Sequence, residues 1–180
     1  MEGYLVLALH DPRYLDLAAN FALSVRRLDK RPVSVVTSPE ITLNPSYETL
    51  FDQVIRLEDH PTLKGAMAKT LLFGASPYSK TMYIDADCLL FNAKIELFWR
   101  RYSGHPFAVE GHRQSTGPVF ACSLGTKKAE DLFALVDVEA LTVFNAGVIY
   151  FEKGSETEKV FETAIELFEG ATSRCNQLPL

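Results

Sequence analysis

The run Tyr4–Leu9, YLVLAL, is apolar at every position. A strand with one face in water alternates apolar and polar residues, so an unbroken run of this kind belongs to a strand covered on both faces. Such strands occur in mostly parallel sheets sandwiched between helices. The pattern recurs along the chain: PVSVVTS (32–38), QVIRL (53–57), TMYID (81–85), PFAVE (106–110), PVFACSL (118–124) and GVIYF (147–151) read as further strands. Helical segments separate them. Asp11 is a suitable N-cap with Pro12 at the first helical position. Tyr14, Ala18, Phe21, Val25 and Leu28 then recur at helical spacing, with Arg26 and Arg27 near the negative C-terminal end. Residues 63–75, LKGAMAKTLLFGA, are apolar on nearly every side and predict a buried helix. Asn92 is placed to cap a helix through KIELFWRRY, and Thr126 one carrying Ala129, Leu132, Phe133 and Val136. In SETEKVFETAIELFEG (155–170), Ser155 and Glu158 have capping-box spacing and Gly170 is a suitable stop. The fold class expected is α/β: a mixed, mostly parallel, Rossmann-like sheet with helices on both faces. No repeat, low-complexity segment or linker interrupts it, so the 180 residues predict a single domain over 1–180.

In sheets of this class, ligands bind beyond the carboxyl ends of the strands. TMYIDADCLLF (81–91) places Asp85 and Asp87 at such an end. Residues i and i+2 of an extended segment share a side, and Ala86 between them adds no bulk. Adjacent carboxylates repel, and a divalent cation removes the conflict. Oxygen ligands favour Mg²⁺ or Mn²⁺, which in turn can bridge to a diphosphate. The alternative is a loop of solvated acids. The apolar continuation Cys88–Phe91 argues against it.

Bulk properties remove several other functions. The net charge is −5 and no basic run exceeds two residues, so nucleic-acid binding by phosphate neutralisation is not expected. Cys88, Cys122 and Cys175 are odd in number and contain no C-x-x-C pair, which fits a reducing, cytoplasmic compartment better than a disulfide scaffold or zinc site. No stretch approaches the ~20 apolar residues of a membrane span, and Tyr4–Leu9 is too short for a signal peptide.

YIDADCLLF resembles the D-x-D segment of GT-A fold glycosyltransferases, in particular glycosyltransferase family 8, the glycogenin and bacterial galactosyltransferase group. LHDPRY (9–14), AMAKTLLF (66–73) and FNAGVIYF (144–151) match further family segments in order. The resemblance covers residues 4–178. It implies a metal-dependent, retaining hexosyltransferase that uses a nucleotide-diphospho-sugar, most often a UDP-sugar, and passes the sugar to a hydroxyl of a glycan, protein or lipid. It implies Mn²⁺ or Mg²⁺ on Asp85 and Asp87. The donor would meet His10, Asp11, Tyr14, Lys69, Asp85, Ala86, Asn145 and Gly147, with Lys69, Asn176 and Gln177 at the reacting sugar. Each residue also has a plainer reading. Lys69 is the only charge between Gly65 and Ala75 and could snorkel to the surface. Asp11 serves as the helix cap, and Tyr14 packs in the core or stacks on a base. Asn145 and Gly147 make a turn before a strand.

Two departures limit the match. The family has an Asp-Gln pair where this chain has Asn176–Gln177, and Asn cannot carry a negative charge. The family's third metal ligand is a C-terminal His, and His10, His60, His105 and His112 all come too early to replace it. The expectation is therefore a domain without the family's closing segment, either a fragment or a shortened member, with bare apolar surface that could make it a homo-oligomer. The second reading is a catalytically impaired sugar-nucleotide-binding or interaction domain of the same fold. A sugar nucleotidyltransferase is a third reading, disfavoured because LALHDPRY lacks a glycine-rich phosphate loop.

Overall fold

In the computed structural model, which describes residues 1–121, 125–128 and 139–175, the apolar runs form strands. These are β1 (Glu2–Ala8), β2 (Val33–Thr37), β3 (Gln53–Arg56), β4 (Lys80–Ile84), β5 (Phe107–Gln114), β6 (Pro118–Ala121), β7 (Gly125–Lys128) and β8 (Leu141–Glu152). The helices are α1 (Pro12–Leu28), α2 (Pro45–Glu48), α3 (Leu72–Ala75), α4 (Ile95–Tyr102) and α5 (Ser155–Cys175). Six strands form one sheet in the order β3-β2-β1-β4-β8-β5, and β6 and β7 form an antiparallel hairpin. β1 pairs in parallel with β2 and β4, and β2 in parallel with β3. This is the mixed α/β, Rossmann-like sheet that the apolar runs predict. Every residue of β2 and most of β1 and β4 are buried, so both faces of the centre are covered.

The chain falls into two compact units, Met1–Ala108 with Ile149–Leu180, and Val109–Val148. In the first, α1 lays Leu15, Ala18, Ala19, Phe21, Ala22 and Val25 into the core. Each of the larger ones contributes about 1.5–3 kcal/mol on burial. The buried stripe starts at Leu15, not at the expected Tyr14, which is 50% exposed. Gly3 and Tyr78 meet more closely than any side chain at position 3 would allow, because an added Cβ would lie 2.5 Å from the Tyr78 ring. That ring is buried, and its hydroxyl shares a hydrogen bond with buried Ser34.

At the amino edge of the sheet, Arg31 joins three acids. Its guanidinium contacts Glu2 at 2.9 Å, Asp29 at 2.9 Å and Glu96 at 2.8 Å, and lies 4.7 Å over the Trp99 ring. Trp99 Nε1–H donates to Tyr4 Oη at 2.8 Å, and the Tyr4 hydroxyl donates to Asp29 at 2.6 Å. Burial disfavours a charged Asp29, but the Tyr4 hydroxyl and Arg31 outweigh it and hold the carboxyl below its usual range. The cluster ties β1, the end of α1 and α4 together.

Five local expectations are corrected. Residues 63–75 do not form one buried helix. Gly65–Leu71 is a 3-10 segment leading into the short α3, with Leu63, Ala68 and Leu72 buried. Gly65 has φ +57, and the rest of the segment is only partly covered because one side lines a cavity. Asn92 does not cap α4. It accepts from Lys94 N–H at 2.8 Å, and the helix begins after that turn. Thr126 is a β7 residue paired with Phe120, not a helix cap, and the helix expected after it lies outside the described residues. At α5 the Glu158 N–H bonds the Gly154 carbonyl, so the first turn closes one residue before the expected cap Ser155. Gly170 is not among the glycines with positive φ, and the helix runs on to Cys175.

In the second unit, Gly111 lets β5 and β8 approach, since a Cβ there would lie 2.9 Å from the Val143 carbonyl oxygen. Among the described residues, no helix is long and apolar enough to cross a membrane.

Gly3→Ala should destabilise the fold by about 1–3 kcal/mol, the range for overpacking a filled core, as read by urea denaturation. The Asp29 carboxyl sits below its unfolded value, so its stabilisation is complete above about pH 4 and is lost as pH falls through the folded value. Arg31→Met should therefore move the acid-unfolding midpoint to higher pH in a circular-dichroism titration.

Candidate functional site

The sheet order reverses beside β1: the chain runs outward through β2 and β3 on one side, then returns to β4 on the other. The loops after β1 and β4 must diverge there, which opens a crevice at their carboxyl ends. A cavity of about 370 Å³ occupies this place. Leu7, Leu9, His10, Asp11 and Tyr14 line it from the β1 side, Gly65, Ala66 and Lys69 from the 3-10 segment, and Tyr83, Asp85, Ala86 and Asp87 from the β4 side.

After β1 the backbone turns sharply at His10, whose φ is +63. The His10 N–H donates to Ser38 Oγ at 2.9 Å, and its Nδ1 lies 3.3 Å from Asp59 Oδ1. Asp11 is the α1 N-cap: its side chain accepts from the Arg13 N–H at 2.9 Å. The Arg13 guanidinium also bonds it and holds its carboxyl below the usual range. The structural role read for Asp11 is thus present, and the same residue lines the cavity. Tyr14 faces the cavity and solvent, not the core, because it falls off the buried stripe of α1.

β4 ends at Ile84, and the following residues are not extended as the period-2 argument assumed. The Cys88 N–H bonds the Asp85 carbonyl at 3.1 Å, closing a tight turn over buried Ala86 and exposed Asp87. Both acids nevertheless line the same cavity. Asp85 is already compensated. The Lys69 ammonium lies 2.7 Å from one of its oxygens and 3.0 Å from the other, and the Tyr83 hydroxyl donates to it as well. The ammonium also sits 5.4 Å over the Tyr83 ring. Burial, followed by the hydrogen bond to Asp85, pushes the Tyr83 phenol well above its ordinary range. A cation is therefore not required to balance Asp85, contrary to the repulsion argument. Asp87 keeps an exposed carboxylate beside the cavity.

Tyr83 was not picked out in the sequence. Its signal was available: Tyr83 and Asp85 are two apart, the spacing that puts side chains of a strand on one side. A second acidic group was also missed. Ligand atoms of His10, Glu40 and Asp59 lie within 4.8 Å of one another, all exposed. One imidazole with two carboxylates is a donor set suited to a divalent ion, but the three come from separate loops, and no spacing in the sequence announces them. Asn145 and Gly147 lie in the second unit, at β8. There both residues lie inside the strand and not in a turn before it, and the Asn145 side-chain oxygen accepts from the Gly147 N–H at 3.0 Å. Asn176 and Gln177 lie outside the described residues.

No protein-family model and no curated protein matches this sequence. Solved structures do. GlyE, a glycosyltransferase of Streptococcus pneumoniae, superposes with a TM-score of 0.56 at 14% identity, covering 94% of this chain and 39% of that one. The galactosyltransferase LgtC, solved with donor and acceptor sugar analogs, gives 0.55 at 14% identity, covering 94% and 66%. The fold is GT-A. The chain spans less than two thirds of the length of these two glycosyltransferases. The same GT-A likeness extends to the 4-diphosphocytidyl-2C-methyl-D-erythritol synthase of Anaerococcus prevotii, with a TM-score of 0.53 at 6% identity and coverage of 94% and 75%.

Lys69→Met should cost about 1–2 kcal/mol of stability, between the limits for surface and buried ion pairs, because Asp85 loses its cation and, among the described residues, is left with the Tyr83 hydroxyl. In a double-mutant cycle with Asp85→Asn, part of that loss should be recovered.

Proposed function

We propose that this chain is the nucleotide-sugar-binding domain of a glycosyltransferase resembling family 8, using a UDP-sugar to glycosylate a hydroxyl. One observation carries the reading: a half-open cavity at the β1/β4 crevice gathers Tyr14, Lys69, Asp85 and Asp87 in a fold shared with glycosyltransferases. Tyr14 offers an aromatic face to the base. Asp87, exposed and adjacent to Asp85, would hold Mn²⁺ or Mg²⁺, with the diphosphate completing its shell. Such an ion, when bound, neutralises charge on the departing nucleotide.

Lys69 then has two partners to choose between. Without donor it pairs with Asp85; with donor, its ammonium is within the same cavity as the phosphates and reacting sugar. Asp85, held by the Tyr83 hydroxyl, keeps a fixed direction through that exchange. The acceptor oxygen forms a bond to the anomeric carbon while the bond from that carbon to the phosphate oxygen breaks. The acceptor proton passes to the departing phosphate. No second carboxylate beyond the Asp85–Asp87 turn lines the reacting side of this cavity among the described residues, apart from the helix cap Asp11. The resemblance to family 8 implies retained configuration by a front-face route, in which the departing phosphate assists the acceptor, and the cavity offers no pair of carboxylates assigned to a glycosyl-enzyme. The resemblance to family 8 also proposes roles at the donor sugar for Asn145, Gly147, Asn176 and Gln177.

The second reading is a sugar-nucleotide-binding domain without turnover, favoured by Asn176 standing where the family has an acid. The nucleotidyltransferase reading shares the fold, but the loop after β1, LHDPRY, has no glycine.

UDP should bind in a Mn²⁺-dependent manner by isothermal titration calorimetry, and Asp87→Ala should weaken that binding at least tenfold. Unchanged affinity in Asp87→Ala would remove the metal role. Slow UDP-sugar hydrolysis without acceptor separates the transferase from the silent binding domain.

A further inference from the structure

Four of the exposed apolar side chains lie together on one face. Leu23 on α1, Leu89 and Phe91 in the loop after the Asp85–Asp87 turn, and Phe98 on α4 are 46%, 50%, 84% and 43% exposed. They line two adjoining hollows of about 540 and 280 Å³, which share Leu90 and Phe91 as walls. The Leu90 N–H donates to Ser24 Oγ at 2.9 Å, pinning the loop to α1 and fixing the floor of the trough. One end of the trough is specific. Ala86 and Asp87 line both it and the cavity that holds Lys69 and Asp85. Each hollow has one basic residue in its lining, Arg27 in the first, which also holds Asp87, and Lys94 in the second. Among the described residues neither has an ion-pair partner, in a chain whose net charge is −5.

We infer that this trough binds the acceptor, and that the acceptor is an anionic amphiphile. Its apolar chain lies along Leu23, Leu89 and Phe91, its phosphate meets Arg27 and Lys94, and its hydroxyl head reaches Asp87. The inference rests on the transferase reading for the word acceptor. A free sugar would gain nothing from an apolar trough this exposed. A second copy of the chain is the competing occupant, and the test below separates it from the amphiphile. Continuity with the donor cavity selects a ligand that is apolar at one end and reactive at the other.

The test is calorimetry of the full chain with dodecyl phosphate below its micelle concentration. Inorganic phosphate and neutral dodecyl maltoside are the controls, and UDP with Mn²⁺ is titrated in parallel. Dodecyl phosphate should bind at least a hundredfold more tightly than inorganic phosphate and about tenfold more tightly than dodecyl maltoside. Phe91→Asp and Arg27→Glu, both at exposed positions that should not affect folding, should each weaken it at least tenfold. UDP affinity should stay within twofold. Equal binding of inorganic phosphate, or unchanged dodecyl phosphate affinity in both variants, overturns the inference. So does a concentration-dependent dimer that Phe91→Asp abolishes while dodecyl phosphate fails to bind, because the face is then a self-interface. Dodecyl phosphate binding without UDP binding supports the trough and removes the donor reading instead.

Discussion

β1 is sealed on both faces, and its neighbours β2 and β4 are sealed with it. A polar group cannot leave such a strand sideways without losing its hydrogen bonds to water. Chemistry can therefore emerge only where the strands end. The order β3-β2-β1-β4 decides which end is open, because the connections from β1 and β4 depart in opposite directions. The position of the cavity, the cap at Asp11 and the turn at Asp85–Asp87 all follow from that constraint.

The two acids of the turn are not equivalent. Asp85 is half-covered and engaged by Lys69 and Tyr83, whereas Asp87 is exposed at the boundary between the polar cavity and the apolar trough. The same two-residue spacing thus produces one carboxylate with a fixed direction and one with free ligand sites. At the opposite edge, the Arg31 cluster uses three acids to tie β1, the end of α1 and α4 together. Charge density by itself does not mark the site. Position at the carboxyl edge does.

The strands were legible because burial on both faces demands continuous apolar runs, which few other structures need. The Asp11 cap was legible because capping is a local interaction between neighbours in sequence, as the Asp11–Arg13 N–H bond shows. Ser155, Asn92 and Thr126 show the limit of the same reasoning. Each has the right side chain for a cap, yet the first helical hydrogen bond closes elsewhere or the residue joins a strand. Lys69 could be singled out as a lone charge in an apolar stretch, but not its partner sixteen positions away, since that contact exists only once β4 lies beside the 3-10 segment.

What the sequence alone determined is the class of sheet, the helix that opens after β1 and the presence of two acids at a strand's end, because these depend on periodicity and on contacts between near neighbours. The tertiary structure decided that Lys69 neutralises Asp85, that Tyr14 faces the cavity and not the core, and that the apolar residues after Asp87 form a trough with α1 and α4. Those are properties of surfaces brought together from distant parts of the chain, and no local pattern carries them.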